Sequence, residues 1–321
     1  MKIVFHGDNA RNFRDGMEAV LADAHDIVAL PEALAGEDER EHFRTADVIV
    51  GIRLDASMPR PERLRLYHAP SAGTDLIDRS LLPAGAVLCN CFGHEHAIAE
   101  YVMTALLLRH VPIPDADRRL RQGDWSYWAG RPTGLRTELG DSTIGLLGFG
   151  HIGKAIAQRA KAFGMRVSVA NRSPVPVGAL VDEAYGLDDL AAFMGSADVI
   201  VVSLPLLPET AGLVGRSALA AMRPDALIVN VGRGPVIDEA ALYEALEKRR
   251  IGGAIIDTWY RYPSAGEPGP APGHLAFQDL DNIVMTPHMS GWTKGTIRRR
   301  MQTIAGNINR LARGEPLVNR A

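Results

Sequence analysis

A glycine-rich segment between a short apolar strand and an amphipathic helix constrains the fold of this chain more than any other feature. A strand is expected over 143–147, Gly148-Phe149-Gly150-His151-Ile152-Gly153 follows it, and a helical pattern begins at once. Glycines at this spacing are typical of a dinucleotide site, because they allow a tight turn, admit a pyrophosphate and let the helix pack on the strand. The helix N-terminus then offers free N–H groups to phosphates. The segment therefore predicts a nucleotide-binding βαβ unit.

Length, charge and cysteine content set the outer limits. The chain has 321 residues, enough for two domains, and its formal net charge of -3 gives no reason to expect nucleic acid or an anionic membrane as a partner. Its two cysteines, Cys89 and Cys91, lie in an expected strand where their side chains do not converge, so neither a disulfide nor a metal site is expected. The N-terminus becomes polar at His6, and no apolar run is long enough to span a membrane. The expected compartment is the cytoplasm.

Alternating strands and helices occur in two series. The first has expected strands over 2–5, 26–30, 48–52, 64–68 and 87–91, and expected helices over 13–24 and 37–45. The second has expected strands over 143–147, 166–170, 198–202, 226–230, 253–257 and 282–285. Such alternation is typical of doubly wound parallel sheets, so the predicted fold class is α/β with two such sheets.

Three further segments lie between or after these series. An apolar helix is expected over 97–110, stopped by Pro112 and Pro114. A surface loop rich in proline and glycine is expected over 263–273, and a final helix over 293–313.

Several short motifs stand in the order and spacing of a known family. Besides the glycine-rich segment they are Ser71–Asp75, Ile98–Glu100, Pro205–Thr210, Asn230–Gly234 with Val236–Asp238, Asp257–Trp259 and Thr286–Gly291. On these residues the chain resembles the D-isomer-specific 2-hydroxyacid dehydrogenases over nearly its whole length. The resemblance implies a substrate domain formed by 1–97 and 289–321, with a dinucleotide-binding Rossmann domain, 98–288, inserted between these two parts. It also implies a homodimer formed largely through the inserted domain, in which helix 97–110 acts as a hinge or dimer element; the pattern alone fits a core helix equally well.

The reaction that the resemblance implies is NAD(P)-dependent reduction of a small 2-oxoacid to the D-2-hydroxyacid. Arg233 could bind the substrate carboxylate through two parallel charge-assisted hydrogen bonds, and by resemblance it also polarises the carbonyl. His288 could give and take a proton, because the unperturbed pKa of imidazole is about 6.5. Backbone N–H groups around Ala72, Gly73 and Thr74 are expected to help hold the carboxylate.

One position departs from the family pattern. The glutamate that normally hydrogen-bonds the catalytic histidine falls on Tyr262, which can orient the ring of His288 but supplies no negative charge at neutral pH. We therefore expect a lower pKa for His288 than in glutamate-bearing relatives, unless Glu267 reaches the ring instead. The three residues expected to be catalytic are Arg233, His288 and Tyr262.

Two alternatives follow from this departure. The formate dehydrogenase branch also lacks a carboxylate at this place, so a hydride-only oxidation is one of them, although Gly93-His94-Glu95-His96 offers no asparagine of the formate type. A nucleotide-binding sensor or co-regulator without dehydrogenase activity is the other. In the family, the segment that contains His94 lines the substrate cleft, so His94 is expected to contact substrate rather than a metal.

The choice of cofactor depends on the end of the strand over 166–170. Enzymes that use NAD carry an acidic residue there for the ribose 2′-hydroxyl. Here Asn171, Arg172 and Ser173 follow the strand, so nothing repels a 2′-phosphate and Arg172 could bind it. NADP is therefore expected, and NAD remains possible if Asn171 binds the hydroxyl and Arg172 stacks on adenine. By resemblance, Asp257 accepts a hydrogen bond from the nicotinamide amide. The residues expected to bind the cofactor are Gly148, Gly150, His151, Ile152, Gly153, Asn171, Arg172, Ser173, Pro205, Thr210, Val231, Gly232, Arg233, Asp257 and His288.

Overall fold

Two compact units make up the computed structural model, which describes residues 1–130, 132–264, 267 and 269–321. Unit 1 comprises Met1–His94 and Trp292–Ala321, and unit 2 comprises Glu95–Gly291. Unit 2 is slightly wider at both ends than the insertion predicted over 98–288. Each unit contains a parallel sheet with helices, so the predicted fold class of two doubly wound α/β domains is confirmed.

The sheet of unit 1 has five parallel strands in the order β2-β1-β3-β4-β5. Its strands β1 to β5 are Lys2–His6, Asp26–Leu30, Val48–Val50, Leu66–His68 and Val87–Cys89. This is the flavodoxin-like order, in which the chain reverses direction across the sheet between β1 and β3. Because β5 ends at Cys89, the expected strand over 87–91 is too long, and Cys91 lies beyond it. Both cysteines are free and buried.

Three helices accompany this sheet: α1 (Gly7–Arg11), α2 (Glu37–Arg44) and α9 (Lys294–Arg313). The helix predicted over 13–24 is wrong. After α1 the chain continues through turns and one 3-10 turn at Met17–Ala19, because Gly16 has φ +81° and ends any helical run. The apolar spacing that suggested a helix comes from side chains such as Phe13 and Met17, which are buried in the core without one.

The sheet of unit 2 has seven parallel strands in the order β12-β11-β10-β9-β6-β7-β8. Its strands β6 to β12 are Thr143–Leu147, Arg166–Ala170, Glu183–Tyr185, Val199–Val202, Leu227–Asn230, Gly253–Ile256 and Ile283–Met285. The strand order changes direction at β6, which lies between β7 and β9, and ligands of open α/β sheets bind at such a switch point. Sequence patterns missed β8, because only part of this three-residue strand is apolar.

The helices of unit 2 cover both faces of that sheet with two separate apolar clusters. They are α3 (Glu95–His110), α4 (Ile113–Arg121), α5 (His151–Ala162), α6 (Leu190–Ser196), α7 (Arg216–Ala220) and α8 (Glu239–Glu247). Helix α3 ends before Pro112, as predicted, but Pro114 lies in the first turn of α4, where the missing N–H is not needed. The loop predicted over 263–273 lies partly outside the described residues; within it, Ser264 and Glu267 exchange backbone hydrogen bonds.

Candidate active site

The residues that the sequence singles out in unit 2 all follow the carboxyl ends of its parallel strands. The glycine-rich segment follows β6, Asn171–Ser173 follow β7, Pro205–Thr210 follow β9, Val231–Arg233 follow β10, Asp257 and Tyr262 follow β11, and His288 follows β12. Carboxyl ends of neighbouring parallel strands share one edge of the sheet, and this is the edge at which open α/β sheets bind ligands.

The glycine-rich segment has the geometry of a phosphate-binding turn. Gly148 has φ +103°, and a β-carbon at Gly153 would lie 2.3 Å from the carbonyl oxygen of Gly148, so the first contact between loop and helix α5 requires glycine. At Gly150 a β-carbon would meet nothing within 4 Å. Packing within the protein therefore does not explain Gly150, whereas the open space beside it at the N-terminus of α5 fits a pyrophosphate. These residues fit a dinucleotide cofactor.

The side chain of Asn171 braces this turn. Its Oδ1 accepts a hydrogen bond from the N–H of Phe149 at 3.2 Å, and its Nδ2 donates to the carbonyl of Ser173 at 2.9 Å. Arg172, the next residue, extends into solvent, with its Nη1 3.6 Å from an Oε1 oxygen of Glu209. Asn171 thus stabilises the loop, while Arg172 and Glu209 face each other at its surface.

Thr210 fixes the loop after β9. Its hydroxyl accepts from the N–H of Leu207 at 2.8 Å and donates to the carbonyl of Pro205 at 2.7 Å, and the residue is almost fully buried. The predicted contact of Thr210 with the cofactor stays a prediction; the structure shows that this hydroxyl holds the loop in one conformation.

Arg233 is held by its neighbours on both sides. The buried Asn230 accepts from the N–H of Gly232 at 3.1 Å and donates to the carbonyl of Arg233 at 3.0 Å. A β-carbon at Gly234 would lie 2.3 Å from the carbonyl of Trp259, so this turn packs backbone against backbone. The Gly-Arg-Gly segment therefore fixes the position from which the guanidinium projects.

Asp257 organises the backbone around His288. It is fully buried, and its carboxylate accepts three hydrogen bonds: from the Thr286 hydroxyl at 2.6 Å, from the N–H of Met289 at 2.9 Å and from the N–H of Ser290 at 3.0 Å. These contacts stabilise His288 in the left-handed region, with φ +57°, which a non-glycine residue rarely adopts. The predicted contact of Asp257 with a nicotinamide amide stays a prediction.

A second hydrogen bond reaches Thr286 from helix α3. The hydroxyl oxygens of Tyr101 and Thr286 are 2.7 Å apart. Since Thr286 gives its only hydroxyl hydrogen to Asp257, Tyr101 donates to Thr286. Tyr101, Thr286 and Asp257 thus form one chain of hydrogen bonds that ends beside His288.

The ring of His288 contacts Tyr262. The phenol oxygen lies 2.9 Å from Nδ1 of His288 and accepts from the N–H of Trp259 at 3.0 Å. A backbone N–H can only donate, so the hydrogen of the phenol is available to Nδ1. Glu267, the alternative partner for this histidine, instead pairs with Arg261 at 2.7 Å. Of the two side chains considered as partners of His288, Tyr262 is therefore the one that contacts its ring.

Two predicted substrate contacts belong to unit 1. Ala72–Thr74 follow β4, and the loop is fixed by a hydrogen bond from Ser71 Oγ to the carbonyl of Gly73 at 2.7 Å and one from Asn90 Nδ2 to the carbonyl of Ala72 at 2.8 Å. His94 is the last residue of the first segment of unit 1. The roles predicted for these residues stay predictions.

In the described part of the chain, no cluster of three or more His, Cys, Asp or Glu side chains is arranged to hold a metal ion. No described helix combines the length and apolar character needed to cross a membrane.

Comparison with known proteins adds the family. The family model described as "D-isomer specific 2-hydroxyacid dehydrogenase, NAD binding domain" matches residues 103–290. The chain belongs to this family. Its resemblance to these dehydrogenases, inferred above from short motifs, is therefore confirmed, and the matched range lies within unit 2.

Two curated dehydrogenases and one solved structure illustrate the range of similarity. The chain is 31% identical over 302 residues to D-3-phosphoglycerate dehydrogenase from Methanocaldococcus jannaschii; the aligned residues make up 91% of this chain and 55% of that protein. It is 30% identical over 275 residues to glycerate dehydrogenase from Methylorubrum extorquens; here the aligned residues make up 83% of this chain and 82% of that protein. A D-isomer specific 2-hydroxyacid dehydrogenase from Xanthobacter autotrophicus Py2, solved with NADPH and MES, superposes with a TM-score of 0.81 at 27% identity over 99% of this chain and 97% of that one. The chain thus spans about half the length of the phosphoglycerate dehydrogenase that it matches.

Within this dehydrogenase fold, sequence reasoning missed several residues that organise the site. Asn230 stands in a motif that was recognised, and its place between a strand end and Gly-Arg-Gly was a usable signal. Tyr101 gave no signal, because it lies in an apolar helix whose pattern indicates only burial. Glu209 was visible in the sequence, but its contact with Arg172 joins loops that follow two different strands.

Proposed function

We propose that this protein transfers a hydride between NAD(P)H and a small 2-oxoacid to give the D-2-hydroxyacid. The observation that carries the proposal is the placement of Arg233 and His288 at the carboxyl edge of the same sheet whose first strand ends in the glycine-rich turn. A dinucleotide, an anion-binding guanidinium and a proton-exchanging imidazole are the three elements that such a reduction needs.

Arg233 binds and polarises the substrate in this proposal. A guanidinium binds a carboxylate through two parallel hydrogen bonds and keeps its charge at every physiological pH. Contact with the carbonyl oxygen becomes stronger as negative charge develops there during hydride transfer, so the same side chain lowers the barrier. The bonds from Asn230 fix the backbone of this turn, and Nη1 of Arg233 donates to the carbonyl of Gly232 at 2.9 Å.

His288 exchanges the proton with the substrate oxygen. Because Nδ1 faces the Tyr262 phenol, the ring nitrogen that gives the proton to the substrate is Nε2. A neutral phenol orients the ring but does not stabilise an imidazolium as a carboxylate does. When bound, the nicotinamide supplies the hydride. Tyr262 and Asp257 act by positioning the histidine.

The cofactor we propose is NADP, with NAD as the weaker ligand. Oδ1 of Asn171 already accepts the Phe149 N–H, and no carboxylate stands at the residue that follows β7. Arg172 and Ser173, which follow Asn171, are the residues we propose to bind the 2′-phosphate. The related structure from Xanthobacter autotrophicus contains NADPH, which supports a nicotinamide dinucleotide as the cofactor.

We further propose a second copy of this chain as the partner. Large apolar side chains of unit 2 are exposed along one stretch of sequence: Leu108, Ile113, Leu120, Trp125, Tyr127, Trp128 and Leu135. Light scattering should give twice the mass of one chain, and a monomer after joint Trp125→Gln and Leu135→Gln substitution, with Val177→Gln as the exposed control. A wild-type monomer would contradict this. The cytoplasmic location stays a prediction from the sequence.

The test of the proposed activity is NADPH and NADH oxidation over a panel of 2-oxoacids, from glyoxylate to bulkier ones, with formate oxidation as the hydride-only alternative. Arg233→Ala should lower kcat/KM about 100-fold or more, since it removes transition-state charge stabilisation. Arg216→Ala, at an exposed arginine paired with Glu244, is the matched control and should change little. Tight cofactor binding without turnover on any substrate would instead favour a nucleotide sensor.

A further inference from the structure

Glu209 is the nearest charged partner that the structure gives Arg172. Its Oε1 lies 3.6 Å from Nη1 of Arg172, and the two side chains are 56% and 77% exposed. The pair is not part of the core, and the proposed reaction does not use Glu209. Glu209 thus stands opposite the cation that we assign to the 2′-phosphate.

The backbones on both sides of this pair are fixed. Asn171, next to Arg172, bonds to Phe149 and Ser173. Thr210, next to Glu209, bonds within its own loop. The two charges are therefore presented to each other by ordered loops, and only the two side chains have to move when a ligand arrives.

We propose that Glu209 is a specificity-determining residue that sets how strongly the protein prefers NADP over NAD. The proposal rests on the proposed binding of the 2′-phosphate by Arg172. In the absence of that phosphate, the carboxylate of Glu209 pairs with the guanidinium of Arg172. NADPH binding separates the pair, whereas NADH, with only a hydroxyl at this place, leaves it intact.

The sign of the effect follows from the charges. A phosphate monoester carries a charge of about -1.5 to -2 at pH 7, so it gains the contact with Arg172 but is repelled by the neighbouring carboxylate. Glu209 therefore weakens NADPH binding and has little effect on NADH. Exposed ion pairs contribute modestly, so the expected change is about two- to fivefold. It should shrink as salt rises, since ions screen exposed charges.

The experiment is titration of NADPH and NADH against wild type, Glu209→Gln, Arg172→Ala and the double variant. Glu183→Gln is the control for net charge. It removes the same charge from the same unit, at a carboxylate that pairs with Arg166 at 2.8 Å. Glu209→Gln should lower the Kd of NADPH two- to fivefold at low salt and leave that of NADH unchanged. In the Arg172→Ala background the same substitution should have a smaller effect, because only the direct repulsion between carboxylate and phosphate then remains.

Three results would overturn the inference. One is an unchanged Kd for NADPH in Glu209→Gln. Another is an equal gain in Glu183→Gln, which would show a general effect of net charge. The third is weaker NADH binding in Glu209→Gln, which would make Glu209 an acceptor for the ribose hydroxyl. If Arg172→Ala leaves the ratio of the two Kd values unchanged, the cofactor assignment fails as well; if it lowers the preference for NADPH and Glu209→Gln has no effect, only the role of Glu209 fails.

Discussion

His68 in unit 1 and His288 in unit 2 both stand at or just beyond the carboxyl end of a parallel strand, yet their surroundings are opposite. His68, the last residue of β4, is fully buried, and its Nε2 accepts from Asn307 Nδ2 at 3.0 Å. The N–H of Val318 donates to Asn307 Oδ1, which fixes the orientation of that amide. Burial lowers the pKa of His68 to about 4. His288 lies exposed on a loop and faces a phenol.

The difference shows what decides the use of a histidine in this fold. A ring that is buried in the core, with its hydrogen bonds made there, stays neutral. It stabilises the folded protein only in this neutral form, because burial disfavours its charged form. A ring exposed at the edge of a sheet, with a phenol beside Nδ1, is accessible to a ligand. Sequence position alone does not separate the two cases, because each residue stands at or just after the end of a short strand with apolar residues.

The largest expected effect tests the role of the exposed His288. His288→Gln should lower kcat for 2-oxoacid reduction about 100-fold or more, because it removes the proton donor. The melting temperature should stay close to that of wild type, since His288 is exposed. His274→Gln, at another exposed histidine of unit 2, should leave both quantities unchanged. Retention of more than a tenth of the activity would show that His288 is not the donor.

The next effect tests the first case. Below pH 6.5 the unfolded chain takes up a proton on His68 that the folded protein, with a pKa of about 4, does not. The free energy of unfolding should therefore fall by about 3 kcal/mol from this residue as the pH drops from 6.5 to 4. Urea unfolding of wild type and His68→Gln at several pH values measures the difference between them. A difference that is independent of pH would mean that His68 becomes charged in the folded protein.

A change at Tyr262 can make the surroundings of His288 more favourable to a positive charge, and so still more different from those of the buried His68. Tyr262→Glu places a carboxylate beside His288, stabilises the imidazolium and should extend reduction by about one unit toward alkaline pH. The measurement is kcat/KM of reduction between pH 6 and 9.5. Tyr262→Phe removes the hydroxyl without adding charge and should not shift the alkaline limb upward. A wild-type profile that is flat well above pH 8 would point to another carboxylate near the ring.

The smallest expected effect concerns the hydrogen bonds behind His288. Tyr101→Phe removes the donor to Thr286 while keeping the ring, so kcat should fall about two- to fivefold with little change in KM, as one neutral hydrogen bond would predict. Tyr185→Phe, at a tyrosine whose hydroxyl bonds to Glu183 at 3.1 Å, is the control. An unchanged kcat would show that Asp257 holds the histidine loop without help from α3.

Sequence patterns predicted the strands of unit 2 closely except for β8, because the other six are short apolar runs. They failed over 13–24, where buried side chains at helical spacing come from turns around Gly16. They singled out Arg233 and His288 from motifs and Tyr262 from its distance to Arg233, and the roles of these three residues stay predictions. They did not locate Tyr101, the bonds of Asp257 or the partner of Glu267, because such contacts join segments distant in sequence.

The burial of Cys89 and Cys91 has a practical consequence. Both are fully buried, and burial raises the pKa of Cys89 to about 11 and that of Cys91 to about 12, so the reactive thiolate is scarce. They are the two cysteines of the chain, and both belong to unit 1. Alkylating reagents should therefore label the native protein slowly, and the labelling rate reports the opening of unit 1 alone.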